Sequence, residues 1–498
     1  MRSDARPERF WVSCFRMSKT RMDNFPEQTN DTNVPLVLDV DGTLLRTDLL
    51  YESFWSALGH DFLATLRVVL THWKRPELLK QALIDIDRHT VELLPVRDAI
   101  SAMAREAQEE GRAVHLVSGS NQALIDDLAV SFSLPDDHYG SDTKRNLTGA
   151  AKAAFLKERF GSGGYDYAGN AKADLASWSE ARKVIAVNPD KSLMREIAAL
   201  NKPTETVADN WFMKDILREI RPHQWIKNAL LFVPLLASQN FSSEAFFAVC
   251  LAAVAFSLGA SSIYVLNDLL DLEADRSHPE KRFRPIASGD LPIPAAMRLS
   301  VFLALLAVCL ALSVDRIVCL LTLTYMAGSL SYSLWLKKRR WLDLIALTGL
   351  FLMRLLTGAV AAGTTVTAPL LGLGFVVFFT LACVKRLTAL SRMPTRHHLP
   401  GRGYSHGDMI PLERAAYTSV CLSGTAFLFY VWDAKADGYY SNPVIAAIAA
   451  VPAVLWLLRM VRLSVAGRED YDPVRFVLHD RAGLALVAIG AVLLALAV

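Results

Sequence analysis

Cysteine is sparse in this chain of 498 residues and badly placed for chemistry. Of six cysteines, Cys250, Cys309, Cys319, Cys383 and Cys421 fall inside apolar runs, and none has zinc or redox spacing. Disulfides and metal–thiolate sites are therefore not expected. Residues 1–33 lack the continuous apolar core of a signal peptide and read as a disordered segment, with Met17 or Met22 as alternative starts. Strong charge of either sign is also missing: the net charge of +3 decides nothing about partners, and no nucleic acid is expected among them.

The averages, 52% hydrophobic and 21% charged, hide a division. Residues 34–190 read as a soluble unit with mixed charge and short apolar runs, 191–219 as a linker, and 220–498 as a membrane unit. About nine apolar stretches are predicted to span, at roughly 227–241, 244–266, 296–314, 317–335, 342–362, 366–384, 412–432, 441–461 and 480–498. Lys and Arg crowd alternate loops, as in Lys337-Lys338-Arg339-Arg340 and Lys385-Arg386, whereas the opposite loops carry only Arg316 and Lys435. That asymmetry predicts a multi-pass protein of the inner, cytoplasmic membrane whose basic loops and soluble unit face the cytoplasm.

The second span runs into "YVLNDLLDLEADRSHPEKRFRPIASG". Asp268, Asp271 and Asp275 are spaced to stack on one helical face, while Glu273 points elsewhere. Like charges so close repel, so a cation is expected among them. Oxygen ligands suit Mg²⁺, which commonly binds through carboxylates and substrate phosphates. Arg276, Lys281, Arg282 and Arg284 follow as candidate phosphate clamps. The competing reading is a solvated helix end whose acids pair with the basic loop. "RPHQWIKN" adds Arg221 and Lys227, with Trp225 as an interfacial anchor, and "YSLWLKKRRWLD" adds Tyr332, Lys337 and Asp343. Arg354 lies deep in the fifth span, on nearly the face of Asp343, and should meet either that carboxylate or a substrate phosphate.

The span count together with "NDLLDLEAD", "RPHQWIKN" and "YSLWLK" resembles the UbiA-type superfamily of intramembrane prenyltransferases. Within it, "KRFRPIASG", "GRGY" at Gly401–Tyr404 and "DPVRFVLHDR" at Asp472–Arg481 resemble the decaprenyl-phosphate phosphoribosyltransferase branch. The resemblance implies transfer of 5-phosphoribosyl from phosphoribosyl diphosphate to a polyprenyl phosphate, supplying a lipid-linked pentose for cell-envelope glycans. Asn267 would then add an amide oxygen or a ribose contact, and Tyr332 and Lys337 would complete the far wall. One departure is visible: four residues beyond Asp343 stands Leu347, where a second acid is common in aromatic prenyltransferases. The histidines His278, His397, His398 and His406 read as loop residues, because an attacking phosphate is already an anion.

In the soluble unit, "VPLVLDVDGTLL" is a strand ending in Asp39-Val-Asp41, a pair that suits a nucleophile and a proton donor around Mg²⁺. "AVHLVSGS", "YDYAGN" and "KVIAVNP" read as further strands of a parallel, Rossmann-like α/β sheet, and "LLYESFWSALGHDFLATLRVVLTHW" as a helical cap. Together these resemble the haloacid dehalogenase-like phosphohydrolases. By that resemblance Asp39 is the nucleophile, Asp41 the acid/base, Ser118 and Lys152 hold the phosphoryl group, and Asn170 and Asp174 complete the Mg²⁺ ligands with Asp39 and Asp41. The fourth motif reads Gly169-Asn170-Ala-Lys-Ala-Asp174, so Asn170 stands where an aspartate is usual and Lys172 adds a charge nearby. A phosphatase joined to a phosphoribosyl transferase would remove the product's 5-phosphate. The expected partners are thus a bilayer, a polyprenyl lipid and a phosphorylated sugar; a homo-oligomer is left open. Two alternatives stand beside this reading: aromatic prenyl transfer from a polyprenyl diphosphate, and a non-catalytic scaffold or transporter.

Overall fold

The computed structural model describes residues 34–134, 137–143, 145–208, 213–239, 242–392, 399, 401–436, 438–467 and 480–498. The segment 1–33, His397, His398 and most of "DPVRFVLHDR" lie outside the described residues.

Six parallel strands form the N-terminal sheet: β1 (Leu36–Leu38), β2 (Val114–Asn121), β3 (Tyr139–Ser141), β4 (Asp166–Gly169), β5 (Lys183–Val187) and β6 (Thr204–Val207). Their order is β3-β2-β1-β4-β5-β6. All three β1 residues are buried, as an apolar run covered on both faces requires. The chain order reverses between β1 and β4, so a crevice opens at their C-terminal ends, where Asp39 and Asn170 stand.

The expected linker is a correction. The helix Lys191–Ala198 and strand β6 continue the sheet beyond 190, and the helix Met213–Glu219 leads into the membrane unit. "TETV" gave no strand signal because it is an edge strand whose residues alternate between exposed and half-buried, with no apolar run.

Between β1 and β2 lies the cap: α1 (Leu49–His60), α2 (Phe62–His72) and α3 (Pro76–Ile86). Asp48 starts α1 by accepting from the Leu50 and Tyr51 amides. Trp55 of α1 is buried in one cluster with Val265, Leu269, Leu272 and Ile286 of the membrane unit. The cap thus packs on the membrane unit, and outside it Arg46 pairs with Asp290 at 3.1 Å and Thr90 donates to Glu273.

Among the described residues seven helices are long and apolar enough to cross a membrane: Ser243–Leu270, Ile293–Val314, Arg316–Leu334, Leu342–Ala361, Ala368–Ser391, His406–Ala436 and Pro443–Val465. The two other expected spans are shorter. Of the stretch expected at 227–241, the described part is a 3₁₀ segment, Pro222–Phe232, followed by the five-residue helix Val233–Ala237, with Pro234 at its start. The last is a 17-residue apolar helix, Arg481–Ala497. Val301, Phe302, Leu305 and Leu312 line the outside of Ile293–Val314 and are mostly exposed, as expected of a surface whose solvent is lipid.

Candidate functional site

The aspartate helix does not run straight through its motif. Ser243–Leu270 stops at Asp271 (φ −104°, ψ 17°), and a new helix, Leu272–Ser277, begins there. The expected single face of three acids is thereby divided. Asp268 and Asp275 are buried and share Arg284, whose Nη1 lies 3.0 Å from Asp268 and 2.5 Å from Asp275. Asp271 is more exposed and receives Lys337 at 3.1 Å.

More cations join this group. Arg221 donates to Asp268, and Lys281 lies 3.7 Å from Asp275. Glu219, missed in the sequence, is buried beside Asp268 with neither carboxylate oxygen receiving a hydrogen bond. Burial, then the Asp268 charge, pushes its carboxyl up to about 9. Asp275 is likewise raised, mainly by burial and against the pull of Arg284. Asn267 Oδ1 is also buried without a partner. Among the described residues no three acidic, histidine or cysteine side chains converge as a ready metal cage. The donor chemistry still fits a hard divalent cation: every candidate ligand atom is oxygen, Glu219 is buried against Asp268, and Asn267 Oδ1 is buried without a partner.

Three expected members stand apart. Arg276 turns to the soluble unit and forms a bidentate pair with Glu52 at 2.7 and 3.0 Å, both residues being deeply buried. Arg282 stacks on Phe283. Lys227 bonds Gln224 on its own segment.

Asp343 is wholly buried and held by Tyr332, Arg386 and Arg402 at 2.9, 2.5 and 3.1 Å. Arg386 had counted only as a loop charge. The structure puts it inside the helix Ala368–Ser391 and makes it the main counter-ion of Asp343. Arg354 cannot take that place, because eleven residues along a helix is roughly 16 Å. It bonds instead to Asn228, Tyr325 and the Leu350 carbonyl, and it lies against Phe256, Tyr325 and Phe351. An arginine at that depth costs about 3 kcal/mol unless partnered, which accounts for the full set of contacts.

The second group sits in the β1/β4 crevice, around a cavity of about 300 Å³ lined by Asp39, Asp41, Asp48, Lys80, Lys152, Asn170 and Asp174. Gly42 takes φ +73° directly after Asp41, and a Cβ there would come within 2.3 Å of the Asn170 amide. Lys152 reaches Asp39 at 2.6 Å and Tyr167 at 3.0 Å. Asp174 accepts from the Tyr167 hydroxyl and from the amides of Asn170 and Ala171, so both its oxygens are engaged. Burial, offset in part by Lys152 and reinforced by Asp174 and Asp41, pushes Asp39 up to about 7. Four carboxylates, Asp39, Asp41, Asp48 and Asp174, face two lysines, Lys80 and Lys152, in this cavity, an excess of acidic oxygens that an oxygen-ligated cation would relieve, so the donor set fits one here too.

Ser118 is a difference from expectation. It is fully buried and donates to Asp41 at 2.9 Å, and Ser120 on the same strand both reaches Asp41, at 2.6 Å, and lines the cavity. Asp48 and Lys80, contributed by the cap, were also missed; no motif marks them, and only the folding of the cap over the crevice brings them in.

The UbiA prenyltransferase family model matches residues 229–479. The chain belongs to that family. Three relatives of this UbiA-family protein show how far the likeness extends. The uncharacterized protein y4nM of Sinorhizobium fredii is 31% identical over 492 residues, 95% of either chain. The nodulation protein NoeC of Azorhizobium caulinodans is 33% identical over 278 residues, 54% of this chain and 88% of its own. The decaprenyl-phosphate phosphoribosyltransferase of Mycobacterium tuberculosis is 32% identical over 280 residues, 53% of this chain and 88% of its own. The UbiA family match begins after Glu219 and Arg221, so these two lie outside it.

Proposed function

We propose that this membrane transferase moves a 5-phosphoribosyl group from phosphoribosyl diphosphate to a polyprenyl phosphate. The observation that carries the reading is the balance of charge: Arg221, Lys281, Arg284 and Lys337 surround three aspartates, and the second acidic position holds one aspartate tied up by Arg386 and Arg402. A prenyl diphosphate brings one phosphate cluster. A phosphoribosyl donor and a lipid phosphate bring three, which calls for cations more than for a second acidic pair.

Asp268 and Asp275, which already share Arg284, would hold Mg²⁺, with Glu219 and Asn267 as further oxygen donors and Asp271 joining through the substrate phosphates. When bound, that ion neutralises the charge that develops on the leaving diphosphate. Lys281, Arg284 and Lys337 hold phosphate oxygens by charge-assisted bonds. The lipid phosphate oxygen attacks the anomeric carbon, the bond to the diphosphate breaks, and no proton moves. Lys227, Tyr332 and Arg354 make no contact with the reacting phosphates in this scheme, being held by Gln224, Asp343 and Asn228.

The soluble unit is proposed as a phosphatase for the 5-phosphate of that product. Asp39 attacks phosphorus, Lys152 steadies the phosphoryl group, and Asp41 gives its proton to the departing ribose oxygen. Water then releases phosphate from Asp39. Joining the two units raises the local concentration of one site's product for the other. The setting proposed is the inner membrane, with both sites toward the cytoplasm, and the product is a lipid-linked pentose donor for envelope glycans.

The test is mass spectrometry of lipids after incubation with phosphoribosyl diphosphate, Mg²⁺ and polyprenyl phosphate. Lipid-linked ribose or phosphoribose is the expected product. Product formed only from labelled polyprenyl diphosphate and hydroxybenzoate would establish aromatic prenyl transfer instead.

A further inference from the structure

Helix α2, "FLATLRVVLTH", is oriented unlike a cap helix that serves only the crevice beneath it. Its one fully buried residue is Thr65. Leu63, Leu66, Leu70 and the following Trp73 are 73%, 45%, 69% and 67% exposed. Spaced by three, four and three residues, they fall within one narrow stripe of the helix. Four large apolar side chains aligned on a water-facing surface are costly, and such a patch marks an interaction surface.

Two observations say what covers it. The first is position. Phe62, at the start of α2, stacks edge-on against Trp335 at 5.9 Å, and Trp335 directly follows the span Arg316–Leu334. The helix therefore begins at the membrane boundary, on the side that carries Asp271 and Lys337. The second is charge. Arg67, Lys74 and Arg75 are exposed beside the stripe, and Lys74 lies over the Trp73 ring. An apolar stripe, a tryptophan and flanking cations form the signature of a helix lying in a bilayer surface with anionic headgroups.

We propose that α2 lies on the membrane surface, with Leu63, Leu66, Leu70 and Trp73 among the acyl chains, and so seats the soluble unit against the bilayer its own chain crosses. The soluble unit is then held by α1 against the aspartate motif, by Arg46 against Asp290, and by α2 against lipid. Its crevice stays at the level where a lipid-linked substrate carries its headgroup. The seating stands on the geometry of α2 and holds whether or not the chemistry proposed above is correct.

The experiment uses the full chain in nanodiscs of phosphatidylcholine and phosphatidylglycerol. A benzophenone amino acid is placed in turn at Leu66, at Leu70 and, as a control on the neighbouring helix, at exposed Asp85. Illumination followed by mass spectrometry is expected to find phospholipid adducts at Leu66 and Leu70, at least ten times the yield at Asp85. Because these positions are exposed, the substitutions leave the core unchanged. Adducts to a second copy of the chain, or equal lipid yields at all three positions, would overturn the proposal. The readout needs no catalytic turnover, so it is independent of the transferase assay.

Discussion

Glu52 and Arg276, 224 residues apart in the chain, meet in a bidentate pair at 2.7 and 3.0 Å inside the contact between the two units. Burial alone would raise the Glu52 carboxyl; the charge and hydrogen bonds of Arg276 overcome it and hold the group below its ordinary value. Arg276 follows Asp275 directly, so the pair ties the cap to the aspartate motif. Arg276→Met should leave a buried carboxylate without its counter-ion, with only Thr47 among the described residues still donating to it, and cost about 3–5 kcal/mol. The double variant Glu52→Gln, Arg276→Met should recover part of that loss. Thermal unfolding in detergent checks this, and an additive double variant would show that the pair is not coupled.

Asp268 accepts from two arginines, Arg221 and Arg284. Asp268→Asn keeps the volume and removes the charge, so transfer should fall roughly 100-fold or more while membrane insertion stays intact. Lys337→Ala, which frees Asp271, should instead raise the KM for the phosphorylated donor. Product formation at limiting and saturating Mg²⁺ separates the two. Near-normal turnover by Asp268→Asn would remove it from the site.

Asp39→Asn cannot form an aspartyl-phosphate but keeps the fold and the membrane site. Wild-type protein should yield lipid-linked ribose, and this variant should stop at lipid-linked phosphoribose with transfer unchanged. Asn170→Asp should speed dephosphorylation, since it returns a carboxylate to the cavity. If wild type also stops at the phosphorylated lipid, the coupled phosphatase is excluded.

The crevice acids give a pH signature. Asp39 and Asp48 are both pushed up to about 7, chiefly by burial. Between about pH 4 and 7 these two groups bind more protons in the folded state than in the unfolded chain, so their contribution to stability falls as pH rises through that window, against the opposite contributions of Glu52 and His89, both of which are lowered. In chelator the soluble unit should melt at a lower temperature at pH 8 than at pH 5. Asp48→Asn, which can still cap α1, should flatten the slope. The same slope in wild type and Asp48→Asn would contradict a raised Asp48 carboxyl.

Periodicity and motif spacing determined a good deal on their own. Long apolar runs made the membrane helices legible, since lipid leaves a helix little choice but to be apolar along its length. Strands buried on both faces, such as Leu36–Leu38, declared themselves in the same way, and the Asp39-Val-Asp41 and Asp268, Asp271, Asp275 spacings pointed to the two candidate sites. Tertiary structure decided the partners of those charges. Nothing local says that Arg386 rather than Arg354 holds Asp343, that Arg276 leaves its neighbours for Glu52, or that Glu219 lies against Asp268. Those pairings join residues far apart in the chain, and only the packing of one helix on another sets which cation comes within reach. The edge strand Thr204–Val207 escaped notice for a related reason: half-buried and polar, it is a strand because β5 offers it a ladder of hydrogen bonds, not because its side chains demand a core.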